Sequence, residues 1–337
     1  MKGFFKTLLA SFIGIFVAMF LGVIVLMSVI SSLGVKKEQA PQIPKSAILK
    51  IADVTIGEQT VGGELDATSM IMNQEVGTTP SKLGILTAIQ AIDKAAEDPS
   101  IKFIYINPTN INTELTTLEE LRSALVRFKE SGKAIISYAE DYTQGGYYLA
   151  SVSDKIYVNP FGSNMMFGVG SSLMFFKGAL DKLGVEVQLI RHGKYKSAGE
   201  QFVNTNISEA NREQNQAMIT SIWKSMSSDI CESRNIDEKT FNKHINNLSA
   251  TMADEMVAAG LADALMTRDE MTAELIGLFG VEKEEDVKMI NLSKYASVVV
   301  KPNYKAKEKI AIIYADGDIN KGNGEGITSD KYAKIIS

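Results

Sequence analysis

Apolar and polar positions change period several times along this chain, and each change predicts a different element. Leu8 to Ile30 runs 23 residues without a charge, and about 20 apolar residues suffice to cross the hydrocarbon core of a bilayer. The pattern therefore predicts one transmembrane helix within residues 1–34. Lys2 and Lys6 precede the run and Lys36 and Lys37 follow it, so the flanking charges orient it only weakly. A cleaved leader is the alternative. The run is long for a leader's apolar region, and no small-x-small site closes it, although "SVISS" comes near. A retained anchor is the reading adopted, followed by a polar, proline-containing linker over 35–46.

From residue 47 the period alternates between strand and helix. Strand-like runs fall at Ala47–Ala52, Ile101–Ile106, Lys133–Tyr138, Lys155–Val158 and Val185–Ile190. Helical patterns separate them at Gly84–Ala96, Thr117–Glu130, near Gly145–Ser151 and around Phe176–Leu183. Such alternation predicts parallel βαβ units with helices covering a sheet, an α/β unit over 47–205. Within it, Tyr147 and Tyr148 are expected to pack the short helix against the sheet. A helical segment over 206–280 follows, in which Met218, Ile219, Ile222, Trp223, Met226 and Ile230 share one face as core or subunit interface. Residues 281–308 read as a linker.

After that linker the pattern restarts. "KIAIIYADGDI" at Lys309–Ile319 repeats the character of "SAILKIADVTI" at Ser46–Ile56, and "ITSDKYAKIIS" resembles the first-helix segment "LGILTAIQAID" at Leu83–Asp93. The offset suits a duplicated domain better than a solenoid. Residues 309–337 are then the start of a second, truncated repeat.

Composition narrows the function. The 337 residues are 45% hydrophobic and 22% charged, a globular balance. A net charge of −5, with no basic stripe carrying interleaved aromatics, argues against a nucleic-acid partner. Cys231 is the one cysteine and cannot form an internal disulfide. With His192 and His244 as the only histidines, a zinc site is not expected and a Ser-His-Asp triad has few ways to form. No metal or cofactor is expected. "ADGDINKGNGEG" places Asp316, Asp318 and Asn320 at alternate positions, but Lys321 and Ile327 stand where a calcium loop needs glycine and glutamate.

"RHGKYKSAGEQF" at Arg191–Phe202 is the stretch with candidate chemistry. A lysine whose ammonium is destabilised can serve as general base for a serine, and Lys196 lies in a loop after an apolar run. Taken alone, a loop lysine is more often simply solvated. Ser197 is adjacent and points away, while Ser163, Ser171 and Ser172 lie in a glycine-rich stretch that reads as structural turns. Glu119 and Glu120 read as a solvated helix face.

Three stretches carry a resemblance: "DYTQGGYYLAS" at Asp141–Ser151, "RHGKYKSAGEQF", and the restart at "KIAIIYADGDI". Together they resemble the long form of the signal peptide peptidase A family, membrane-anchored bacterial serine peptidases with a tandem crotonase-like (ClpP-like) fold. The resemblance implies that Lys196 is the general base of a Ser-Lys dyad. It also implies that the nucleophilic serine sits in a glycine-rich loop of the second repeat, so no nucleophile is expected in this chain. Aligned by "TTLEELRSAL", the corresponding position of the first repeat falls at or near Glu114, as in a copy without a nucleophile. Cleaved signal peptides as substrates, a homotetramer, anchoring in the bilayer through Leu8–Ile30 and a single-pass inner-membrane protein with its bulk on the periplasmic side follow from the same resemblance. Two other classes stay open: a non-catalytic membrane-anchored scaffold or binding protein, and an acyl-CoA hydratase or isomerase of the crotonase group. A downstream Gly-Gly-Ser-type loop would separate the first from a peptidase, and turnover of acyl-CoA would identify the second.

Overall fold

The computed structural model describes residues 2–32, 42–58, 81–301, 305–308, 310–315, 317–322, 324 and 326–337. Most of the expected linker over 35–46, with Lys36 and Lys37, lies outside them, as do Lys309 and Asp316. Two compact units divide the chain, residues 1–42 and 43–337.

In the first unit the described residues hold one helix, α1 (Lys2–Ser32). Its described apolar side chains, Phe12, Phe16, Met19 and Phe20 among them, are exposed. Among the described residues no helix is long and apolar enough to cross a membrane. The run expected to span, Leu8–Ile30, lies within α1, and the side chains of residues 7–9 and 26–32 are outside the described set.

The second unit is built on a parallel sheet. After β1 (Ala47–Ile51), β2 (Val54–Gly57) and β3 (Ser81–Gly84), helix α2 (Ile85–Glu97) leads into β4 (Ile101–Ile106). The two-residue β5 (Ile111–Asn112) and α3 (Leu115–Lys129) precede β6 (Ile135–Ala139), β7 (Tyr142–Thr143), α4 (Gln144–Ala150), β8 (Lys155–Val158) and β9 (Asn164–Met165). The chain continues through short α5 (Lys177–Lys182) and α6 (Glu200–Val203), long α7 (Glu209–Arg234), α8 (Glu238–Asn247) and α9 (Ala253–Ala258). It then forms β10 (Ala264–Leu265), α10 (Arg268–Phe279), β11 (Met289–Asn291) and α11 (Leu292–Val299), and ends in β12 (Ile319–Asn320), β13 (Ile327–Thr328) and α12 (Ser329–Ile336).

Six strands hydrogen-bond in the order β10-β8-β6-β4-β1-β11, every pairing parallel. Both faces are apolar, as a parallel sheet covered on both sides requires. Leu49, Ile51, Ile104, Ile106, Ile156 and Val158 join the larger core cluster with residues of α2, α3, α4 and α11. Ile48, Phe103, Tyr105, Ile136, Tyr138 and Tyr157 face the opposite way, onto Met271, Leu275 and Phe279 of α10. Strands β2, β3 and β5 make a smaller parallel sheet, and β7 pairs with β9. The expected mixed α/β architecture is therefore present.

Three expectations are corrected. Val185–Ile190 is not a strand: it has no sheet partner among the described residues, and Ile190 is 96% exposed. β-forming side chains make a strand only where a neighbour supplies backbone hydrogen bonds and a covering layer. Residues 310–315 are likewise irregular, with Ile310 at 94% exposure, and among the described residues β12 and β13 pair only with each other. Residues 281–308, read as a linker, hold β11, which closes the sheet beside β1, and α11, which packs on α2 and β1. Three residues are too few to show a period, so β11 gave no strand signal.

Tyr147 and Tyr148 are buried as expected, but they reach beyond the sheet. Tyr147 Oη donates to the Leu261 carbonyl at 2.7 Å, and Tyr148 Oη donates to Asp229 Oδ2 on α7 at 2.5 Å. Of the apolar face read on α7, Met226 and Ile230 are buried, Trp223 packs at the edge of the core, and Met218 is exposed.

Candidate active site

The loop that carries Lys196 is shaped by its small residues. Gly193 has φ +104°, which side chains of L residues rarely adopt. It makes a turn in which the Lys196 amide donates to the Gly193 carbonyl at 3.3 Å. Gly199 lies against Leu189, where an added Cβ would sit 2.3 Å from Leu189 Cδ1, so a larger residue would displace that leucine.

Two carboxylates tie the loop to the first turns of α7. On the outside, Glu213 accepts a hydrogen bond from Tyr195 Oη at 3.0 Å and pairs with Lys194 Nζ at 3.7 Å. Inside, Glu200 is 1% exposed. A buried carboxylate is tolerable only when its lone pairs are filled, and here they are. Arg191 Nη1 donates to Oε1 at 2.8 Å, Ser208 Oγ to Oε1 at 2.7 Å, the Ser208 amide to Oε2 at 3.3 Å and Asn211 Nδ2 to Oε2 at 3.2 Å. Burial by itself raises the Glu200 carboxyl, but the bonds from Ser208, Arg191 and Asn211 outweigh it and hold the group down at about 2. Ser208 is also the N-cap of α7, its Oγ accepting from the Asn211 amide at 3.2 Å. The same Arg191 Nη1 donates to the Lys196 carbonyl at 3.1 Å.

The Lys196 side chain is exposed. Among the described residues no hydrogen bond or ion pair engages its ammonium, and no serine hydroxyl meets it. Ser163 is occupied elsewhere, its amide and Oγ both donating to Asp141 Oδ1 at 2.8 Å. Ser171 and Ser172 are exposed in irregular chain, and Ser197 is half-buried. Glu114 is the exposed N-cap position of α3, without a side-chain capping bond. His244 Nδ1 meets Ser249 Oγ at 3.0 Å, but the Ser249 amide also bonds the His244 carbonyl, so the pair closes the end of α8.

Sequence reasoning missed two features. One is Glu200, inside the quoted motif: its burial and partners depend on the return of the chain through Ser208 and Asn211. The other is a cavity of about 430 Å³ lined by Thr113, Leu118, Gln144, Gly145, Gly168 and Met226, beside the Glu114 position. Thr113 Oγ1 is buried there without a hydrogen-bond partner. Lys196 does not line it.

Comparison with known proteins places this geometry. Residues 127–282, which contain the Lys196 loop and its Glu200 anchor, match the model of peptidase family S49. Protease 4 of Haemophilus influenzae is 30% identical over 283 residues, 80% of this chain and 46% of that protein. Protease 4 of Salmonella typhi is 28% identical over 287 residues, 82% of this chain and 46% of that protein. The chloroplastic serine protease SPPA of Arabidopsis thaliana is 28% identical over 233 residues, 68% of this chain and 34% of that protein. The chain thus spans half or less of the length of these relatives. The chain is similar to signal peptide peptidase A-type proteases over most of its length, and residues 127–282 match the model of peptidase family S49.

Proposed function

We propose that this chain is the lysine-bearing part of a serine endopeptidase that degrades cleaved signal peptides, with Lys196 as general base. The observation that carries the reading is the presence of Lys196, exposed on a loop pinned at both sides, within the family-matched segment. The nucleophilic serine would come from protein outside these 337 residues, in a second repeat of crotonase-like fold. Its docking would cover the Lys196 amine, since a lysine works as a base when its surroundings disfavour the charged form.

The chemistry is acyl transfer. Lys196 Nζ takes the serine Oγ proton as Oγ attacks the scissile carbonyl, then delivers it to the departing amine. A water attacks the resulting ester, gives its proton to Lys196 and releases the acyl product, and the serine recovers its proton. The charge-free run Leu8–Ile30 supports a membrane anchor, and the family resemblance extends this to the bacterial inner membrane with the bulk of the protein on the periplasmic side. Anchoring holds the enzyme where apolar signal peptides collect. A homotetramer belongs to the same reading.

The test is cleavage of an apolar signal-peptide substrate by the protein as the source cell makes it, with Lys196→Ala and Lys196→Arg beside the wild type. Loss of turnover in both, with fluorophosphonate labelling of a serine in the wild type alone, is expected. Near wild-type turnover in Lys196→Ala sinks the assignment. Absence of labelling and turnover from the wild type would favour a membrane-anchored scaffold, the reading that agrees with a lysine touching no hydroxyl among the described residues.

A further inference from the structure

The Lys196 loop is held by a buried charge that lies outside the proposed chemistry. Arg191 Nη1 stands between two acceptors, the Glu200 carboxylate at 2.8 Å and the Lys196 carbonyl at 3.1 Å. Glu200 in turn is fixed to α7 through Ser208 and Asn211. A chain of direct contacts therefore runs from a long helix, through a carboxylate and a guanidinium, to the backbone of the candidate base. A guanidinium between two oxygen acceptors is directional in a way that an ammonium is not.

We propose that Glu200 and Arg191 are positioning residues for Lys196, setting the backbone from which its side chain is presented. This rests on the reading of Lys196 as the base. Glu200 touches neither substrate nor the reacting atoms; it acts by restraining Arg191. Glu213 does not duplicate this role, because it grips Tyr195 and Lys194 at the exposed side of the loop.

The experiment compares Glu200→Gln, Arg191→Ala, the double variant and Lys196→Ala in the full-length protein. Gln keeps the shape of Glu and an acceptor oxygen but removes the charge that orders Arg191. Displacement of a catalytic group by about 1 Å can lower a rate by about 100-fold. Each single variant is expected to lose about 10- to 100-fold in kcat with KM unchanged, and the double variant no more than the worse single one, because both break one link. Thr267→Ala is the control for stability: it removes the N-cap of α10, which bonds neither Glu200 nor Arg191, and its kcat should stay within a few fold of wild type. A Glu200→Gln enzyme with wild-type kcat overturns the inference while leaving the Lys196 assignment standing. Multiplicative losses in the double variant overturn it as well.

A second readout does not need activity. Trypsin cleaves after Lys194 and Lys196 faster the more freely the loop moves, so nicking there should quicken in Glu200→Gln under conditions where α7 stays intact. Unchanged nicking means that Glu200 does not hold the loop, and this result would stand even if Lys196→Ala proved fully active.

Discussion

Two six-residue stretches of similar apolar content, Ile101–Ile106 and Val185–Ile190, end in opposite states. The first is β4, flanked by β1 and β6, with Ile104 and Ile106 wholly buried. The second pairs with no described strand and carries Ile190 almost fully in solvent. The difference lies in their neighbours. Ile101–Ile106 has a strand on each side and a helical layer on each face, so its backbone pairs along the sheet and its apolar side chains are covered. Val185–Ile190 has the composition of a strand and no edge to join.

The comparison can be broken at its buried end most forcefully. Ile104→Ala should lower unfolding free energy by about 2–5 kcal/mol, the range for emptying a packed core site, read from urea denaturation of the full chain. A loss below about 1 kcal/mol would mean that this face of the sheet is loosely packed.

The second test concerns the anchor of the loop that follows Val185–Ile190. The folded Glu200 carboxyl lies at about 2 against an ordinary value of 4.5, so ionised Glu200 favours the folded state. That contribution is complete above about pH 4.5 and is lost as pH falls from there through about 2. The stability advantage of wild type over Glu200→Gln should therefore shrink across that window. A difference that stays flat from pH 5 to 2 would mean that the carboxylate gains nothing from Arg191, Ser208 and Asn211.

The smallest effect sharpens the exposed end. Ile190→Ala should change stability by no more than about 0.5 kcal/mol, as at surface sites. A loss above about 1 kcal/mol would mean that Ile190 is covered in solution by protein beyond this chain.

How much was legible follows from the same contrast. The strands Ile101–Ile106 and Lys155–Val158 were readable to the residue, because apolar runs set between helical patterns declare them. The edges were not: Ala264–Leu265 and Met289–Asn291 are strands only because β8 and β1 offer them partners. Lys196 stood out through its small neighbours and its motif. Glu200, four residues on, did not, since a carboxylate in a loop reads as solvated until Ser208 and Asn211 come back to it. An arginine nine residues before a glutamate was the available signal, and by itself it is too common to weigh.

The closing strand has a consequence for synthesis. Met289 pairs with Ile48, so β1 leaves the ribosome about 240 residues before its outer neighbour, a wait of roughly 10–50 s at about 5–20 residues per second. Until Met289–Asn291 arrives, Ala47–Ile51 offers one bare row of backbone donors and acceptors beside an otherwise complete sheet. A nascent chain stalled before residue 289 would hold that row open, and chaperone binding to such a stalled chain is where the delay would first be seen.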